Sequence, residues 1–313
     1  MTNWGILGLG RMGLSFIEAI NDLTNTKLIS IGSKSGKTYE NIKTCSYEEV
    51  ISNEKIDSIY ISTLNNTHID LINQCLNAKK NILCEKPAST SLKELNDFAS
   101  KLSQKKTDFY EAIAYYSHPQ TLELLKLVKN GEIGDIRKIE CSFGFRARFN
   151  PSSRLFDKNL GGGAIFDLGC YPISFAMLFA KNLDKIKIIK KNLEFSTSKV
   201  DLDSSATLVC DDNFECDMHV SLKNNLKNIC KIQGSKGYIQ ILNPWLPNKN
   251  SLIEISSNKH FYIKNIDSNL SVYANQICNV SKAFSKESHD SLNLFDINKS
   301  LINVNLIEKW LKK

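Results

Sequence analysis

Short apolar runs alternate with amphipathic stretches over roughly the first 120 residues of this 313-residue chain. Strand-like runs such as Asn3–Leu7 and Asn81–Cys84 are each followed by residues with helical spacing, as in Met12–Ile20. Strands that alternate with helices are typical of a parallel sheet wound by helices. We therefore expect an α/β domain over residues 1–118, with its last strand at about Asp108–Ala114.

The pattern changes after His118-Pro119. Seven longer runs of alternating apolar and polar residues lie between Lys138 and Ser256, and two helical stretches close the chain. Strict alternation is typical of an antiparallel sheet with one face covered. Residues 119–313 are therefore predicted to form a second, α+β domain built on a mostly antiparallel sheet.

Composition excludes several classes of function. The formal net charge is +7, but the lysines are scattered and do not form the basic stripe with interleaved aromatics that nucleic acid requires. No run approaches the ~18 apolar residues of a membrane span, and we find no signal-peptide pattern. The nine cysteines form no CxxC pair and the five histidines lack ligand spacing. We expect a cytoplasmic protein without a disulfide framework or metal site.

The first candidate site is the segment GILGLGRMG. Gly8, Gly10 and Gly13 form G-x-G-x-x-G between a strand and a helix, and Arg11 and Met12 complete the turn. Such a turn lets the backbone approach a pyrophosphate, which the amides at the helix N-terminus then bind. The alternative is a glycine turn kept for packing. The strand-turn-helix context favours a Rossmann dinucleotide-binding domain.

The end of the second strand bears on which dinucleotide binds. NAD sites usually place Asp or Glu there, about 20 residues after the turn, to hold the ribose 2′-hydroxyl. This chain has Ser33 and Lys34 instead, with Lys37 beyond them and no carboxylate before Glu40. An ordinary polar loop would explain the same residues. The missing carboxylate and the two cations favour NADP, with NAD as the alternative.

Two further segments carry candidate chemistry. Lys86, in LCEKP, follows a strand at the edge where open α/β sheets bind ligands, although a lone lysine there is also compatible with solvent exposure. Asp167 and Tyr171, after the glycines of GGGAIFDLGCYPI, share one face if the segment is helical. A capping Asp and a core Tyr are the alternatives. A lysine ammonium beside a tyrosine would lower the pKa of the phenol and suit it to acid/base work.

Taken in order, these segments resemble the Gfo/Idh/MocA oxidoreductase family, nearest to its dihydrodiol and xylose dehydrogenase-like tyrosine branch. The resemblance covers nearly the whole chain. It is carried by six segments: GILGLGRMG, STLNNTH at Ser62–His68, NILCEKP, YEAIAYYSHPQ at Tyr110–Gln120, the run from Arg154 through GGGAIFDLGCYPI, and IQGSKGYIQI. It implies a Rossmann domain followed by a domain with a large open sheet that often forms the oligomer interface.

The resemblance also implies roles for individual residues. Lys86, Tyr171 and Asp167 are expected to be catalytic. The same three residues are expected to contact substrate, as are Tyr116 and Arg154. Outside the glycine turn and the Ser33–Lys34 end, the implied cofactor-binding residues are Thr63, Asn65, His68, Glu85 and Lys86. The chain departs from the family at Leu64, where proline is common, and at Tyr116, where arginine is frequent.

Three hypotheses of function follow. The first is an NADP-dependent oxidoreductase that transfers hydride to or from a hydroxyl or carbonyl of a sugar, sugar derivative or cyclic polyol, working as a homodimer or homotetramer. The second is a sensor that binds dinucleotide and sugar without turnover. The third is reduction of another carbonyl, such as a tetrapyrrole, on the same fold. Lys86, Asp167 and Tyr171 favour the first, because a sensor needs no proton relay.

Overall fold

In the computed structural model the protein divides into two compact units. The structure describes residues 1–34, 36, 39, 44–211, 213–257, 260–287 and 292–312. The first unit combines Met1–Ser117 with Leu270–Leu301, and the second combines His118–Asn269 with Ile302–Lys313. The sequence-based division had assigned all of residues 119–313 to one domain, whereas Leu270–Leu301 packs with the first unit.

Fourteen strands and eight α-helices are formed by the described residues. In chain order they are β1 (Thr2–Leu7), α1 (Arg11–Asn21), β2 (Thr26–Gly32), β3 (Thr44–Cys45), α2 (Tyr47–Ser52), β4 (Ser58–Ile61), α3 (His68–Asn77), β5 (Asn81–Cys84), α4 (Leu92–Leu102), β6 (Phe109–Glu111), α5 (Pro119–Lys129), β7 (Ile136–Gly144), α6 (Cys170–Met177), β8 (Lys187–Phe195), β9 (Asp201–Cys210), β10 (Phe214–Ser221), β11 (Ile229–Gly234), β12 (Gly237–Leu242), β13 (Asn250–Ser257), β14 (Phe261–Asp267), α7 (Val272–Phe284) and α8 (Ile297–Leu311).

The first unit is built on a six-stranded sheet in the order β3-β2-β1-β4-β5-β6. Every pair in it is parallel, as the alternation of strands and helices predicted. Apolar strand residues are buried, as in β4, where all four residues are inaccessible to solvent. Because all strands run in the same direction, their carboxyl ends meet at one edge of the sheet.

Helix α7 belongs to the first unit because its apolar face packs on β1 and α1. The indole of Trp4 contacts the rings of Phe16 and Phe284, at centroid distances of 5.3 and 5.7 Å. Its Nε1 donates to the Ser281 hydroxyl at 3.2 Å. The Trp4 side chain is completely buried. The contacts of Trp4 with Phe284 and Ser281 join residues about 280 positions apart, which no local pattern in the sequence reveals.

Three local features differ from the sequence prediction. The short elements β3 and α2 were not foreseen, although Ser46 and Glu49 form a reciprocal capping box that marks the start of α2. Strand β6 ends at Glu111, and Ala114–Ser117 forms a 3₁₀ turn instead of continuing the predicted strand. Strand β14 was also missed, since it alternates poorly.

The second unit contains an eight-stranded sheet in the order β14-β13-β12-β11-β7-β10-β9-β8. It is antiparallel except for the parallel pair of β7 and β10, which confirms the expected fold class. Helix α6 packs against β7 and β10. The strand residues that alternate with the buried ones are polar and paired, as in Lys138 with Asp217 at 2.7 Å and His219 with Asp203 at 2.8 Å. The face that carries these pairs is thus polar at its centre.

Three findings bear on the predicted absences. Within the described ranges, no helix has the length and apolar character needed to cross a bilayer. The same residues contain no group of three or more His, Cys, Asp or Glu side chains arranged to hold a metal ion. All nine cysteines are free thiols, and burial raises the pKa of Cys75 to about 12 and also raises the pKa of Cys210 well above its usual value. Thiols of this kind are protonated and unreactive at neutral pH.

Candidate functional site

The glycine turn between β1 and α1 has the geometry that a dinucleotide requires. Gly8 has φ +104°, and a Cβ there would lie 2.8 Å from the carbonyl oxygen of Ser62. A Cβ on Gly13 would lie 2.3 Å from the carbonyl oxygen of Gly8, so the helix can start this close to the strand only with glycine. A Cβ on Gly10 would meet no atom within 4 Å, so this side of the turn is open.

Helix α1 begins without a side-chain cap. Gly10 is its N-cap, no side chain accepts from the amides of the first turn, and this turn contains no acidic residue. Arg11 and Met12 are the first helical residues, exposed and half-buried respectively. The first-turn amides therefore remain available as donors, and the positive end of the helix favours an anion there. This open cradle of donors fits a pyrophosphate.

The end of β2 carries the residues expected to choose between NAD and NADP. Ser33 is half-buried and its amide donates to the Cys45 carbonyl at 3.0 Å. Lys34 is exposed, with its ammonium 5.5 Å from the centre of the Tyr47 ring. The site thus presents a hydroxyl and a cation, with no carboxylate among the described residues of this segment. Lys37 and Glu40 lie outside the described residues.

The segment after β4 is held by its own side chains. The hydroxyls of Thr63 and Thr67 lie 2.7 Å apart, and Asn65 starts the 3₁₀ turn that leads into α3. His68 is completely buried. Its Nδ1 lies 2.9 Å from the carbonyl oxygen of Pro87 and its Nε2 lies 3.3 Å from that of Thr63. Burial lowers the pKa of His68, so the neutral ring donates from Nδ1 to the nearer carbonyl. His68 thereby connects two loops at the carboxyl edge of the sheet.

Lys86 follows β5 at the same edge as the glycine turn. It is half-buried, its peptide bond to Pro87 is cis, and Glu85 before it is buried. The Tyr60 hydroxyl donates to Oε1 of Glu85 at 2.5 Å. Burial raises the pKa of Tyr60 well above its usual value and the Glu85 carboxylate raises it further, so Tyr60 is the fixed donor of this pair.

Tyr273 of α7 joins this group of residues. Burial raises the pKa of Tyr273 and the Glu85 carboxylate adds to the rise, whereas the positive charges of Arg11 and Lys86 act in the opposite direction. The pKa of Tyr273 therefore depends on charges of both the glycine turn and the lysine loop. Nothing in the sequence pointed to it, because it lies more than 180 residues after the lysine.

Tyr116 was expected to contact substrate because the family resemblance places this position at the cleft, although relatives often carry arginine there. Its side chain is only 1 % exposed and packs edge-on against Tyr115 and Phe295, at centroid distances of 5.2 and 5.1 Å. Burial raises its pKa well above the usual value. The ring is a packing element of the first unit.

In the second unit, the glycine-rich segment brings Arg154 and Asp167 together. Nη1 of Arg154 donates to Oδ1 of Asp167 at 3.0 Å, and the carboxylate is mostly buried while the arginine is half-exposed. Residues Ile165–Gly169 form a π-helical turn before α6. Hydrogen bonds in such a turn run from residue i to i+5, so the α-helical spacing assumed for Asp167 and Tyr171 does not hold here. Turns of this type are frequent at functional sites.

Tyr171 stands in the first turn of α6, next to Pro172. Its half-buried ring packs edge-on against Phe143 at 5.1 Å and lies 5.9 Å from the Trp245 ring. The Trp245 indole is itself fixed by donation to the Ser142 carbonyl at 3.0 Å. Pro172 lacks an amide donor, which a first helical turn tolerates, so the helix restarts at this point as predicted.

The glycine run is shaped by a buried carboxylate that sequence analysis missed. Oδ2 of Asp201 accepts from the Ile165 amide at 2.9 Å and from the Ser204 hydroxyl at 3.0 Å. Gly163 has φ +119°, and a Cβ there would lie 2.3 Å from Oδ1 of Asp201. Burial raises the pKa of Asp201 to about 6. Gly161–Gly163 was expected to let backbone approach a ligand. Within this unit, the group that approaches Gly163 closely is the Asp201 carboxylate.

The chain matches two family models. The model described as the oxidoreductase family with NAD-binding Rossmann fold, GFO_IDH_MocA, matches residues 2–112, and the GFO/IDH/MocA C-terminal domain matches residues 121–240. The two matches together cover well over half of the chain.

Individual relatives agree with these models. The chain is 28% identical over 250 residues to trans-1,2-dihydrobenzene-1,2-diol dehydrogenase of Xenopus tropicalis, which covers 77% of this chain and 75% of that protein. The fold is similar to the 3-ketoreductase KijD10 of Actinomadura kijaniata in complex with NADP and TDP-benzene, with TM-score 0.87, 19% identity and coverage of 98% and 96%. It is also similar to the aldose-aldose oxidoreductase of Caulobacter crescentus, with TM-score 0.87, 17% identity and coverage of 99% and 96%.

We predict that Gly163→Ala destabilises the second unit by about 2 kcal/mol or more. The alanine side chain would strain a backbone with positive φ, and its Cβ would clash with the Asp201 carboxylate. Gly131→Ala is the matched control, since Gly131 has φ +74° with open space around it. It should cost only about 1 kcal/mol. Denaturant unfolding followed by tryptophan fluorescence measures both. Equal decreases in the free energy of unfolding for the two variants would show that the Asp201 contact does not constrain the glycine run.

Proposed function

Because the chain belongs to the Gfo/Idh/MocA oxidoreductase family, we propose that it is an NADP-preferring dehydrogenase or reductase. It acts on a hydroxyl or carbonyl of a sugar, sugar derivative or cyclic polyol. The observation that carries this proposal is the position of Lys86 at the end of β5, on the same sheet edge as the open glycine turn between β1 and α1. Open parallel sheets bind their ligands at this edge.

The nicotinamide dinucleotide, when bound, supplies the hydride donor or acceptor. We propose that the turn amides take the pyrophosphate, and that Ser33 and Lys34 take the 2′-phosphate through charge-assisted hydrogen bonds. The complete proposed set is Gly8, Gly10, Arg11, Met12, Gly13, Ser33, Lys34, Thr63, Asn65, His68, Glu85 and Lys86. Of these, His68 would act through the loops that it connects, because both of its ring nitrogens face backbone carbonyls.

The proposed proton chemistry uses three side chains, and the family resemblance is the reason for assigning them to one reaction. Tyr171 takes the proton from the substrate hydroxyl in oxidation and returns it in reduction. Lys86 lowers the pKa of this phenol and binds the substrate oxygen. Asp167 binds a neighbouring hydroxyl, and Arg154 fixes its carboxylate from one side. Tyr116 is also proposed to contact substrate, although its ring is buried.

The named relatives support the substrate class without identifying the substrate. One is a dehydrogenase of a cyclic diol, one a 3-ketoreductase crystallised with a TDP-linked ligand and NADP, and one an aldose-aldose oxidoreductase. A panel of aldoses, inositols, cyclic diols and nucleotide-linked sugars, followed through NADPH absorbance in both directions, tests the proposal. Dinucleotide binding with no turnover on any of them would favour a sensor.

We also propose a cytoplasmic homo-oligomer, either a dimer or a tetramer. Nine free thiols favour a reducing compartment. The sheet of the second unit has a face of paired polar side chains and, along β13 and β14, exposed apolar residues such as Leu252, Phe261 and Ile263. Exposed apolar residues on this sheet are suited to burial against a second copy of the chain, because homodimer interfaces are more apolar than the rest of the surface.

Lys34→Asp should weaken NADP(H) binding and favour NAD(H), because it replaces the cation with a charge that repels the 2′-phosphate. Fluorescence titration of both cofactors measures the ratio of their dissociation constants. Lys27→Asp, an exposed lysine nearer the start of the same strand, is the control and should leave the ratio unchanged. Tighter binding of NAD(H) than NADP(H) by the unmutated protein would contradict the proposal.

Tyr171→Phe should lower kcat by roughly 10²–10⁴-fold while sparing cofactor affinity, since a positioned acid/base contributes about this factor. Lys86→Ala should cost at least as much, because it removes a charge and a substrate contact. Tyr238→Phe, a half-buried tyrosine of β12, is the control for loss of a phenol. Steady-state kinetics across pH decide the point. Nearly full activity of Tyr171→Phe at saturating substrate would leave the proton transfer to Lys86 or water.

Light scattering at micromolar concentration should give the mass of a dimer or tetramer. Phe261→Asp, on the exposed margin of the sheet, should shift the protein towards a monomer because it buries an unpaired charge in the interface. Asp184→Lys, a surface residue in the turn before β8, is the control for a charge change. A monomeric unmutated protein at this concentration would refute the assembly.

A further inference from the structure

Glu111 is a buried carboxyl next to the lysine loop that has no part in the proposed mechanism. It ends β6 and is only 1 % exposed. Its Oε1 accepts from the Ala88 amide at 3.1 Å, two residues after Lys86. Its backbone is fixed as well, because its amide donates to the Phe295 carbonyl at 2.9 Å. The carboxyl is thus held by β6 and in turn holds the loop.

The second oxygen of this carboxyl is unsatisfied. Oε2 of Glu111 accepts no hydrogen bond from any described residue. The Ser300 hydroxyl lies close enough to lower the pKa of the carboxyl, but its hydrogen is donated to the Asp296 carbonyl at 3.1 Å. An unsatisfied buried carboxylate oxygen is costly, and such a cost is retained where the charge has a use.

Two buried side chains hold consecutive residues of the loop. His68, in α3, donates to the Pro87 carbonyl, and Glu111, in β6, accepts from the Ala88 amide. His68 is neutral at physiological pH because burial lowers its pKa. Glu111 is therefore the member of the pair whose charge changes near neutrality, since burial raises its pKa to about 7. The titratable groups that face Glu111 or interact with its charge are Cys84, Glu85, Lys86 and Tyr116.

We propose that Glu111 is a positioning residue for Lys86: it anchors the loop through the Ala88 amide, and its negative charge holds the lysine as the ammonium. The inference rests on the proposed function only for its catalytic consequence. The positive charge of Lys86 favours the ionised form of Glu111, and by reciprocity the ionised carboxylate favours the ammonium. The Glu85 carboxylate acts in the opposite direction and raises the pKa of Glu111, so the ionisation of Glu111 depends on both neighbouring charges.

The direct test measures the protonation of Lys86 without any substrate. Trace acetylation with acetic anhydride, followed by mass spectrometry of the peptide that contains Lys86, reports the fraction of free amine at each pH. In Glu111→Gln the amide keeps the hydrogen bond to Ala88 and loses the charge. Above pH 8 Lys86 should then be labelled about threefold to tenfold faster, since a shift of one pKa unit is a tenfold change. Below pH 6 the two proteins should agree.

Glu94→Gln, an exposed glutamate of α4, is the control and should match the unmutated protein throughout. The unmutated protein supplies a second measurement if Glu111→Gln fails to fold. Its labelling rate for Lys86 should deviate from a single-site curve, with an inflection near pH 7. Superimposable curves for Glu111→Gln and the unmutated protein, or a single-site curve for the latter, overturn the proposal.

A kinetic readout distinguishes this proposal from the proposed function. With an active substrate, the kcat–pH profile should contain an ionisation near pH 7 that Glu111→Gln abolishes, with kcat reduced about threefold to tenfold above pH 8. Altered lysine labelling without turnover on any substrate would support the coupling and refute the enzyme. Turnover with unaltered labelling would refute the coupling alone.

Discussion

The parallel direction of the six strands in the first unit is the constraint on which the candidate cofactor site depends. Because β1, β2, β4, β5 and β6 all end at one edge of the sheet, residues far apart in sequence meet there. The glycine turn, Ser33, Thr63, Lys86 and Glu111 each follow or end one of these strands. Burial of the strands fixes their register, and the register in turn sets the spacing between the loops.

The candidate residues of the second unit are positioned by a π-helical turn and not by the ends of parallel strands. There the strands are mostly antiparallel and the side chains of interest lie on a π-helical turn and the helix after it. The Asp201 carboxylate binds the start of this turn, and the turn presents Asp167 to Arg154. One buried acid thus holds the backbone of the turn that carries the other. Hydrogen bonds to its Oδ2 offset part of the cost of burying Asp201.

Sequence reasoning succeeded where a motif is local and failed where an interaction is distant. G-x-G-x-x-G predicted the first turn because a Cβ on Gly8 or Gly13 would clash with nearby backbone, while Gly10 leaves the turn open. Strands with clean alternation were found, whereas β14 was missed. Tyr60, Asp201 and Tyr273 escaped because each interacts with a residue 25 or more positions away and a lone Tyr or Asp has no pattern. Glu111 lay inside a segment already singled out, YEAIAYYSHPQ, but only its burial distinguishes it from a surface glutamate.

The titratable groups around Lys86 show why its loop is kept polar at a cost in stability. Glu111 has a folded pKa of about 7, above the 4.5 of an unperturbed glutamate. By linkage its contribution to stability is fully present below about pH 4.5 and is lost as the pH rises through about 7. An apolar residue at this position would carry no such pH dependence. It would leave the Ala88 amide without its acceptor and the lysine without the proposed counter-charge. The carboxyl is therefore explained by its effect on the lysine loop rather than by the stability of the unit.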